Sequence, residues 1–376
     1  MPRPPHIVFA GGATPGHLHP GLAVASHLIE RVPDAIITFI GGSRGLDHHV
    51  IRAAGFKFAG VPSQPAPEKV LHAVRFVTDN VAGYWAARWF FKEQRVSAVV
   101  GLGGASCAPA VRAAISRGLP TLMLEQNVVP GRVTRWLARS VSTVCAGFSE
   151  TRGYFPSAVP LMITGNPARP TFENLYREAR LRDPQPRNKR LVVIGGGAIG
   201  SRSINQNMPG ALARLREQLA GWQIVHQSGE GQLQQTETRY RSAGVNALVV
   251  SFIDEIAPIM FASDLVVCRS GGTTLAELAL ASVPAILVPY PLTIDYQLPN
   301  AEIFAGAGAA TIIDETDLAG SVEDALVEHL EPLLTSDERR VKMGASMRRL
   351  ARPGAAANVT NIVYEALFSK ATRLAA

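Results

Sequence analysis

Side chains that can do chemistry collect at the end of one short apolar run in this sequence. The run Leu265 to Cys268 ends in Arg-Ser-Gly-Gly, and Thr273 and Thr274 then open a pattern with helical spacing. A strand, turn and helix in this order place the turn at the carboxyl end of a parallel strand, where ligands bind in open α/β sheets. Free N–H groups at such a helix start attract anions. Glu277, one turn further on, can accept hydrogen bonds from two ribose hydroxyls, so the stretch predicts a binding site.

Polar side chains also follow the next apolar run, Ala285 to Val288. Asp295, Gln297 and Asn300 can hydrogen-bond a sugar, which offers several hydroxyls and no charge. Each of these residues alone is more often structural, and Glu277 could be a first-turn carboxylate favoured by the helix dipole. Because all of them follow neighbouring strands at one sheet edge, we favour a site.

A histidine stands on a second Gly-rich turn, near the start of the chain. The run His6 to Ala10 ends in Gly-Gly-Ala-Thr-Pro-Gly, and His17 follows. The turn suits a phosphate, but it is not a dinucleotide fingerprint, because the second predicted strand ends in glycines instead of a carboxylate. A lone histidine is more often structural. On a turn at a strand end, however, His17 is a candidate general base, since histidine titrates near neutral pH.

The remaining apolar runs repeat the alternation of strand, turn and helix in both halves of the chain. Strands are predicted at residues 6–10, 36–40, 57–61, 97–102, 121–124, 161–164, 190–194, 223–226, 248–252, 265–268, 285–288 and 310–313. Further Gly turns occur at 101–106 and, as a lone GxGxxG match, at 195–200. The pattern predicts an α/β fold with two Rossmann-like, doubly wound parallel-sheet domains facing across a cleft.

The length of 376 residues fits two domains of ordinary size. A polar stretch with two prolines marks residues 171–190 as a linker. We therefore expect an N-terminal domain over 1–170 and a C-terminal domain over 191–350. A final helix within 351–376 can cross back to the first domain.

Cysteine count and the lengths of the apolar runs exclude several classes of protein. Three scattered cysteines are too few for a disulfide framework or a zinc site, and they predict buried thiols in a reducing cytosol. The N-terminus has no signal-peptide pattern, and no apolar run is long enough to span a bilayer. We therefore expect a soluble chain.

Charge is distributed unevenly along the chain. Residues 1–180 contain 19 Lys and Arg against 10 Asp and Glu, a net charge of +9, whereas residues 181–376 contain 18 against 20. A basic half can bind nucleic acid or an anionic membrane surface. No zinc-finger, RNA-recognition or helix-turn-helix pattern supports nucleic acid, so we expect none.

A predicted helix over 68–95 carries an apolar arc that is wider than one packing face needs. The apolar and aromatic residues of this arc include Val70, Leu71, Val74, Val77, Val81, Trp85, Trp89 and Phe90. Aromatic residues mixed with Arg and Lys are typical of helices that dock at the level of lipid headgroups. The alternative is a helix packed on the sheet. We favour membrane contact through Trp85, Trp89 and Phe90.

Several groups of residues, in a fixed order, carry a family resemblance along nearly the whole chain. They are Gly12 to His17 with Pro20 to Ala23, Leu124 to Asn127, Gly165 to Arg169, Asn205-Gln206 with Met208-Pro209, His226 to Gly229, Phe252 to Asp254, Cys268 to Glu277, and Asp295 to Gln297 with Asn300-Ala301. The sequence resembles the MurG-type N-acetylglucosaminyltransferases, which have the two-Rossmann-domain GT-B fold. That family transfers N-acetylglucosamine (GlcNAc) from UDP-GlcNAc to undecaprenyl-pyrophosphoryl-MurNAc-pentapeptide, lipid I, and makes lipid II for peptidoglycan.

The resemblance implies a role for each matched residue. His17 is the catalytic base for the acceptor 4-hydroxyl, and the acceptor side consists of Thr14, Pro15, Gly16, Gly103, Gly104 and Asn127. In the donor site Glu277 holds the ribose, backbone groups of Phe252 and Ile253 read uracil, and Gln297 and Asn300 bind GlcNAc hydroxyls. The diphosphate side of that site consists of Arg169, Gly197, Ala198, Gly200, Ser201, Gly272, Thr273 and Thr274.

The resemblance also implies the setting of the reaction. No metal or other cofactor is expected, because a helix N-terminus and an arginine supply positive charge. Displacement at the anomeric carbon inverts it. The expected partners are UDP-GlcNAc, lipid I, an anionic membrane surface and other cell-wall synthesis proteins, and the expected place is the cytoplasmic face of the plasma membrane, with peripheral attachment.

Four residues depart from the family pattern. Ala13 and Pro15 stand where glycine is usual, Ala105 stands where an aromatic residue follows the glycine pair, and Ala198 stands at a position often held by serine. These departures bear on single residues more than on the function. Whether His17 or a nearby carboxylate is the base stays open.

Three rival functions share parts of this pattern. A nucleotide-dependent oxidoreductase would need a ribose carboxylate at the end of its second strand. A relative on the same fold could glycosylate another lipid or epimerise UDP-GlcNAc, and an epimerase would need more acid and base side chains than His17 alone. A non-catalytic membrane scaffold that senses nucleotide sugar is disfavoured by His17, Glu277 and Gln297 being present together.

Overall fold

The chain folds into two compact units, seen in a computed structural model that describes residues 3–12, 14–42, 47–65, 73–179, 189–195, 201–291 and 297–374. Unit 1 consists of Met1–Arg169 together with Gly354–Ala376, and unit 2 consists of Pro170–Pro353. Each unit contains one parallel sheet with helices packed on it. The predicted α/β fold class with two parallel sheets is confirmed.

Unit 1 is built on a seven-stranded sheet in which every neighbouring pair is parallel. Its strands are β1 (His6–Ala10), β2 (Ile36–Gly41), β3 (Lys57–Gly60), β4 (Ala98–Gly101), β5 (Thr121–Glu125), β6 (Thr143–Ala146) and β7 (Leu161–Ile163). Their order across the sheet is β3-β2-β1-β4-β5-β6-β7. The strands β1, β4 and β5 are therefore neighbours, and their carboxyl ends meet at one edge.

Helices cover both faces of this sheet. They are α1 (Pro15–Arg31), α2 (Asp47–Ala53), α3 (Ala73–Glu93), α4 (Ala108–Ser116), α5 (Arg132–Leu137) and, from the end of the chain, α14 (Ala355–Leu374). One core joins the sheet to α1 and α14 through buried residues such as Leu28 and Val359. The other core joins it to α3, α4 and α5 through residues such as Phe91, Val111 and Leu137. The helices α3, α4 and α5 thus form one layer.

The last helix belongs to unit 1 although unit 2 precedes it in the chain. Val359 and Val363 of α14 are fully buried in the core that α1 shares with the sheet. Arg31 at the end of α1 stacks its guanidinium 4.3 Å from the ring centroid of Tyr364 and hydrogen-bonds Asn361. The apolar contact fixes α14 against α1.

Unit 2 is built on a six-stranded parallel sheet with the order β10-β9-β8-β11-β12-β13. Its strands are β8 (Arg190–Ile194), β9 (Gln223–Gln227), β10 (Leu248–Val250), β11 (Leu265–Cys268), β12 (Ala285–Leu287) and β13 (Ala310–Ile312). Its helices are α6 (Pro170–Ala179), α7 (Arg202–Arg214), α8 (Leu233–Ala243), α9 (Ile256–Phe261), α10 (Gly272–Ala281), α11 (Gln297–Gly306), α12 (Val322–Thr335) and α13 (Asp337–Arg349). The neighbours β8, β11 and β12 bring three carboxyl ends together.

Two elements differ from the sequence expectation. Strand β6 was not predicted, and it pairs with β5 and β7 inside the sheet. The first part of the segment predicted as a linker forms α6, which packs on unit 2: its Phe172 is fully buried and lies 6.1 Å from the ring of Phe261. Residues 180–188 of that segment lie outside the described residues.

Candidate functional site

The ring of His17 lies against a glycine turn at the carboxyl edge of the unit 1 sheet. Helix α1 starts with Thr14 as its N-cap and Pro15 at the first helical position, and this start places His17 in the first turn. The turn after β4 passes beside it. A Cβ added to Gly103 would lie 2.9 Å from His17 Cδ2 and 3.2 Å from Nε2, and one added to Gly104 would lie 3.8 Å from Cε1. Residue 103 must therefore be glycine for the ring to sit there, whereas the distance at residue 104 is an ordinary contact and its φ of 72° is what favours glycine.

A hydrogen bond orients this ring. Thr14 Oγ1 lies 2.8 Å from His17 Nδ1. In the tautomer whose Nδ1–H donates to Thr14, Nε2 is the nitrogen that can take a proton. The sequence predicted Thr14 and His17 as site residues, and the structure brings them together with Gly103 and Gly104. Pro15 and Gly16, also predicted on the acceptor side, are exposed beside them, and Ala13 lies outside the described residues.

A buried carboxylate organises the loop after β5. Glu125 is buried, and its two oxygens accept from Asn127 N at 3.1 Å and from Gly131 N at 3.0 Å. Burial raises the pKa of this carboxyl, and hydrogen bonds from Thr134 and these N–H groups oppose the rise. The carbonyl of Asn127 also accepts from Thr151 Oγ1 at 3.1 Å. Asn127 is thus held in place at the same sheet edge as His17.

Sequence reasoning missed two further groups at this edge. Glu125 was read only as part of a motif, although a carboxylate that ends a buried strand and precedes a turn is a signal for loop anchoring. His19 is the other group: burial, with the charge of Arg169 acting in the same direction, lowers its pKa to about 4. Arg169, predicted to hold the donor diphosphate, lies in unit 1.

Several residues predicted to bind the donor lie at the start of α10 in unit 2. Gly271 caps the helix, Thr273 is buried and Thr274 is half-buried. Glu277 lies one turn inside the helix with only 4% of its surface exposed. Gly272, Thr273, Thr274 and Glu277 were all predicted here, and the helix start provides N–H groups for an anion next to that carboxylate.

A hydrogen-bond network joins this helix start to α11. Ser270 Oγ donates to the carbonyl of Gln297 at 2.9 Å, and the side-chain oxygen of Gln297 accepts from Tyr290 N at 3.2 Å. Asn300 is fully buried and donates to the carbonyl of Ser270 at 3.1 Å. In this arrangement Asn300 braces the turn, whereas half-buried Gln297 lies at its surface. Asp295 and Tyr296 lie outside the described residues.

Arg269 ties three strand ends of unit 2 together. Its Nη1 donates to the carbonyls of Val288 and Pro289 at 3.0 and 2.9 Å and pairs with the carboxylate of Glu315 at 2.5 Å. Val288 and Glu315 follow β12 and β13, while Arg269 itself follows β11. This contact fixes the strand ends that carry the predicted donor residues.

One of the backbone groups predicted to bind uracil already has a hydrogen-bond partner within the protein. Ile253 N donates to Gln227 Oε1 at 2.9 Å, so this N–H is already used within the protein. Phe252 next to it is exposed. Ser201 caps α7, and its buried Oγ has no hydrogen-bond partner within the described residues. Gly197, Ala198 and Gly200 lie outside them.

A buried histidine supports the start of α7. His226 Nε2 lies 2.8 Å from Asn205 Oδ1, and His226 Nδ1 lies 2.8 Å from the Tyr240 hydroxyl. Asn205 donates from Nδ2 to the carbonyl of Ser228 at 2.7 Å, which identifies Oδ1 as the acceptor. His226 therefore carries its proton on Nε2, and burial lowers its pKa to about 3.

The outer surface of α3 is apolar and exposed. Gly83, Ala87 and Phe91 face the core. Residues two positions away lie about 200° around a helix, and Trp85 and Trp89 accordingly point outward with 61% and 66% of their surfaces exposed. Val74, Val77 and Val81 continue this stripe and are exposed as well, while Val70 and Leu71 lie outside the described residues.

The third residue of the predicted membrane contact has a different position. Phe90 is half-buried, packs on the core of this layer and meets the ring of His6 at 6.2 Å. The exposed stripe therefore contains Trp85 and Trp89 without Phe90. Within the described parts of the chain, no helix combines the length and hydropathy that crossing a bilayer requires.

Comparison with known proteins covers both units. The glycosyltransferase family 28 N-terminal domain matches residues 7–146, and the C-terminal domain of that family matches residues 191–358. The UDP-N-acetylglucosamine--N-acetylmuramyl-(pentapeptide) pyrophosphoryl-undecaprenol N-acetylglucosamine transferase of Desulfitobacterium hafniense (strain Y51) is 34% identical over 369 residues, with 96% of this chain and 98% of that protein covered. The chain belongs to this family.

Further relatives and structures agree with that membership. The transferase of the same name from Geobacter sulfurreducens is 34% identical, with 93% of this chain and 95% of that protein covered. The crystal structure of Acinetobacter baumannii MurG matches with a TM-score of 0.73 and 25% identity over 96% of this chain and all of that one. A UDP-GlcNAc 2-epimerase from Neisseria meningitidis matches with a TM-score of 0.66 at 13% identity over 97% of this chain and 100% of that one, which shows a shared fold alone.

Proposed function

We propose that this chain transfers GlcNAc from UDP-GlcNAc to the 4-hydroxyl of MurNAc in undecaprenyl-pyrophosphoryl-MurNAc-pentapeptide, with inversion at the anomeric carbon. The observation that carries the proposal is the match, over 96% of the chain, to a transferase whose name states both substrates and the transferred sugar. The two half-sites support it, since unit 1 presents a candidate base and unit 2 an anion-binding helix start with a buried carboxylate.

His17 removes the proton from the acceptor hydroxyl. The acceptor 4-hydroxyl oxygen forms a bond to the anomeric carbon of GlcNAc while the bond from that carbon to UDP breaks. The hydroxyl proton passes to His17 Nε2, and UDP leaves with the electron pair. The Thr14 contact and the Gly103 turn support this role because they hold the ring in one orientation. Asn127 serves the acceptor side.

Unit 2 binds the donor. Glu277 accepts hydrogen bonds from the ribose hydroxyls, and the N–H groups at the start of α10, with Thr273 and Thr274, hold the diphosphate together with Ser201 and Arg169. No metal or cofactor is part of this proposal. Gln297 binds GlcNAc hydroxyls, and buried Asn300 positions the turn instead of touching the sugar. Because the Ile253 N–H already donates to Gln227, groups near Phe252 other than this N–H bind uracil.

Unit 1 docks on the cytoplasmic face of an anionic membrane through the α3–α4–α5 layer. Charge supports this: unit 1 contains 19 Lys and Arg against 9 Asp and Glu, whereas unit 2 contains 18 against 21. From residue 94 to residue 149 the sole acidic residue is Glu125, which is buried, while Arg112, Arg132 and Arg135 are exposed. Trp136 on α5 is 62% exposed among these arginines, which adds an aromatic contact at headgroup level. Other cell-wall synthesis proteins are the expected partners on this membrane.

A donor-and-acceptor assay tests the function. The chain is incubated with UDP-GlcNAc and a lipid I analogue, and released UDP and the disaccharide product are measured. We expect both products in equal amounts, and no UDP release without acceptor. Conversion of UDP-GlcNAc to an epimer in the absence of acceptor would support the rival function. No release under any lipid condition would sink the proposal.

A further inference from the structure

Unit 2 contains a surface cavity of about 480 Å³ at a distance from its donor residues along the sheet. The cavity lies between α12, α13 and the turn that leads into β13, with Ala307 and Gly308 in its wall. These residues precede β13, whereas Glu277 and Gln297 follow strands β11 and β12. The cavity therefore opens at the amino ends of the strands, and the donor half-site lies at their carboxyl ends.

One face of α13 supplies cations to this cavity. Arg339, Lys342, Ser346 and Arg349 line it, and their spacing of three, four and three residues places them on one side of a helix. Arg349 Nη2 donates to Ser346 Oγ at 2.8 Å, which directs the guanidinium along the wall. None of the ion pairs in the described parts of unit 2 involves these three cations.

A buried hydroxyl completes the polar side of the wall. Thr311 Oγ1 of β13 is buried and has no hydrogen-bond partner among the residues that the structure describes. Such an atom can donate to a bound acceptor. Glu328 is the carboxylate in the lining, and burial lowers the pKa of its neighbour His329. Three cations therefore face one carboxylate and a neutral imidazole at neutral pH.

The rest of the lining is apolar. Pro332, Leu333 and Met343 form part of the wall, whereas the side chains of Arg339, Lys342 and Arg349 are exposed, so water and salt weaken their attraction to an anion. The volume lies within the range of pockets that hold small molecules. A large flat partner does not fit this description, and a compact anion does.

We propose that this cavity binds a small anion that bears phosphate groups. Arg339 and Arg349 offer planar N–H donors that match phosphate oxygens, Lys342 adds a point charge, and the Thr311 hydroxyl donates from the inner wall. The site is separate from the donor diphosphate site, and its occupant is a soluble phosphate compound. The inference does not depend on the proposed transferase activity.

Calorimetry with inorganic pyrophosphate tests this inference on the full chain. The titration is carried out with UDP at saturation, so that the donor site is already occupied. We expect one further equivalent of pyrophosphate to bind. The triple variant R339Q/K342Q/R349Q should lose at least about tenfold in affinity, because each charge-assisted contact is worth roughly that factor. Absence of any binding to the unmodified chain overturns the proposal.

Two further variants separate a built site from general charge attraction. R241Q/R348Q/R352Q removes the same charge from exposed arginines of unit 2 outside the cavity lining, and its affinity should stay within about twofold of the parent chain. Thr311→Val keeps the volume and should lose a few-fold in affinity at an unchanged Tm. Equal losses in both triple variants, or no effect of Thr311→Val and R339Q/K342Q/R349Q, would contradict the site.

A vesicle arm identifies the source of the phosphate. The chain is sedimented with phosphatidylglycerol vesicles, and the cavity variants are compared with the parent chain. We expect no difference, because the cavity takes a soluble anion. A loss of vesicle binding in R339Q/K342Q/R349Q, together with no pyrophosphate binding to the parent, would assign the cations to a lipid headgroup and refute the proposal.

Discussion

Among single residues, His17 and Gly103 depend on each other. A methyl group at residue 103 would lie 2.9 Å from the imidazole, so Gly103→Ala must push the ring away from the position that Thr14 holds. We expect His17→Ala to lower kcat by about 10²–10⁴, and Gly103→Ala to lower it by a large part of that factor. Steady-state assays with a short-chain acceptor measure both. The control is UDP affinity, which should be unchanged. Turnover of His17→Ala within a few-fold of the parent would show that another group takes the proton.

Glu277 gives the second prediction at this scale. The carboxylate is buried one turn after the start of α10. Removing it would take away the charged group that accepts hydrogen bonds from the ribose. We expect Glu277→Ala to weaken UDP binding by roughly 1.5–3 kcal/mol, measured by calorimetry. Glu217→Ala, an exposed carboxylate of the same unit, is the matched control and should bind UDP normally. Equal affinity of the two variants would remove Glu277 from the site.

Much of the site at this scale could be predicted, because His17 and Glu277 stand on turns that sequence spacing places at strand ends. What spacing cannot show is which residue meets which. The Arg269–Glu315 pair joins residues 46 positions apart, and the contact of His17 with Gly103 depends on β1 and β4 being neighbours. The polarity of Asn300 was visible in the sequence and led to its prediction as a sugar ligand, whereas its burial and its hydrogen bond to Ser270 were not visible.

Among the elements, α3 could act as a core helix or as a membrane-contact helix. Its small residues face the sheet and its tryptophans face outward, so replacing the tryptophans tests the membrane role. We expect Trp85→Ser with Trp89→Ser to abolish binding to anionic vesicles while activity on a short-chain acceptor largely remains. Binding of the parent chain should weaken as salt rises, since exposed charges are screened. Co-sedimentation and a short-chain assay measure the two properties.

The control for this variant removes apolar surface elsewhere. Leu248→Ser with Val341→Ser changes two exposed residues of unit 2 and should leave vesicle binding intact. If the tryptophan variant instead lost vesicle binding and short-chain activity together, with a lower Tm, α3 would be acting as part of the core.

His226, which joins β9 to α7, predicts that the free energy of unfolding depends on pH. His226 has a pKa of about 3 in the folded chain and about 6.5 when unfolded. Between these values the unfolded state binds a proton that the folded state does not, so stability falls as pH falls from about 6.5 towards 3, by up to about 1.4 kcal/mol per pH unit. The Tyr240 hydroxyl and Asn205 are the groups that face this ring. We expect His226→Gln to flatten this dependence.

Urea unfolding at several pH values measures that slope. Trp222 reports unit 2 when the other three tryptophans, which lie in unit 1, are replaced by phenylalanine. A His329→Gln variant measures the separate contribution of the other histidine of unit 2, whose pKa burial also lowers. A slope for His226→Gln as steep as that of the parent would show that other groups govern acid stability.

Most elements could be predicted because runs of Val, Ile and Leu mark buried parallel strands. The missed strand, β6, is a Thr-Val-Cys-Ala segment that follows Ser-Val-Ser, and these polar residues at and before its start hide its apolar signal. Helix α6 was missed inside a polar stretch, although Phe172, Leu175 and Tyr176 recur at helical spacing and face the protein. The helical period of α3 was visible, but an arc that is apolar on two sides does not reveal which side packs.

For the whole molecule, the position of α14 in unit 1 predicts that removing this helix damages unit 1 and leaves unit 2 folded. We expect a chain that stops at residue 353 to lose transferase activity, because Val359 and Val363 leave the core beneath α1. UDP binding to unit 2 should persist, as calorimetry can show, and limited proteolysis should cleave unit 1 first. In the full chain, Val363→Ser should destabilise unit 1, whereas Glu365→Ser on the exposed side of α14 should not. Loss of UDP binding in the truncated chain would mean that the units do not fold independently.

The same helix sets an order of events during synthesis. A ribosome makes residues 1–169 first, but the nascent unit 1 lacks one wall of its core until residues 354–374 exist. At about 5–20 residues per second, the intervening stretch takes on the order of 10–40 s. During this interval the incomplete core of unit 1 exposes apolar side chains such as Leu28 and Phe9, whereas unit 2 needs no later segment and has its whole sequence as soon as residue 353 is made. Slow codons after residue 170 would lengthen this exposure, and chaperone capture of nascent chains should peak there.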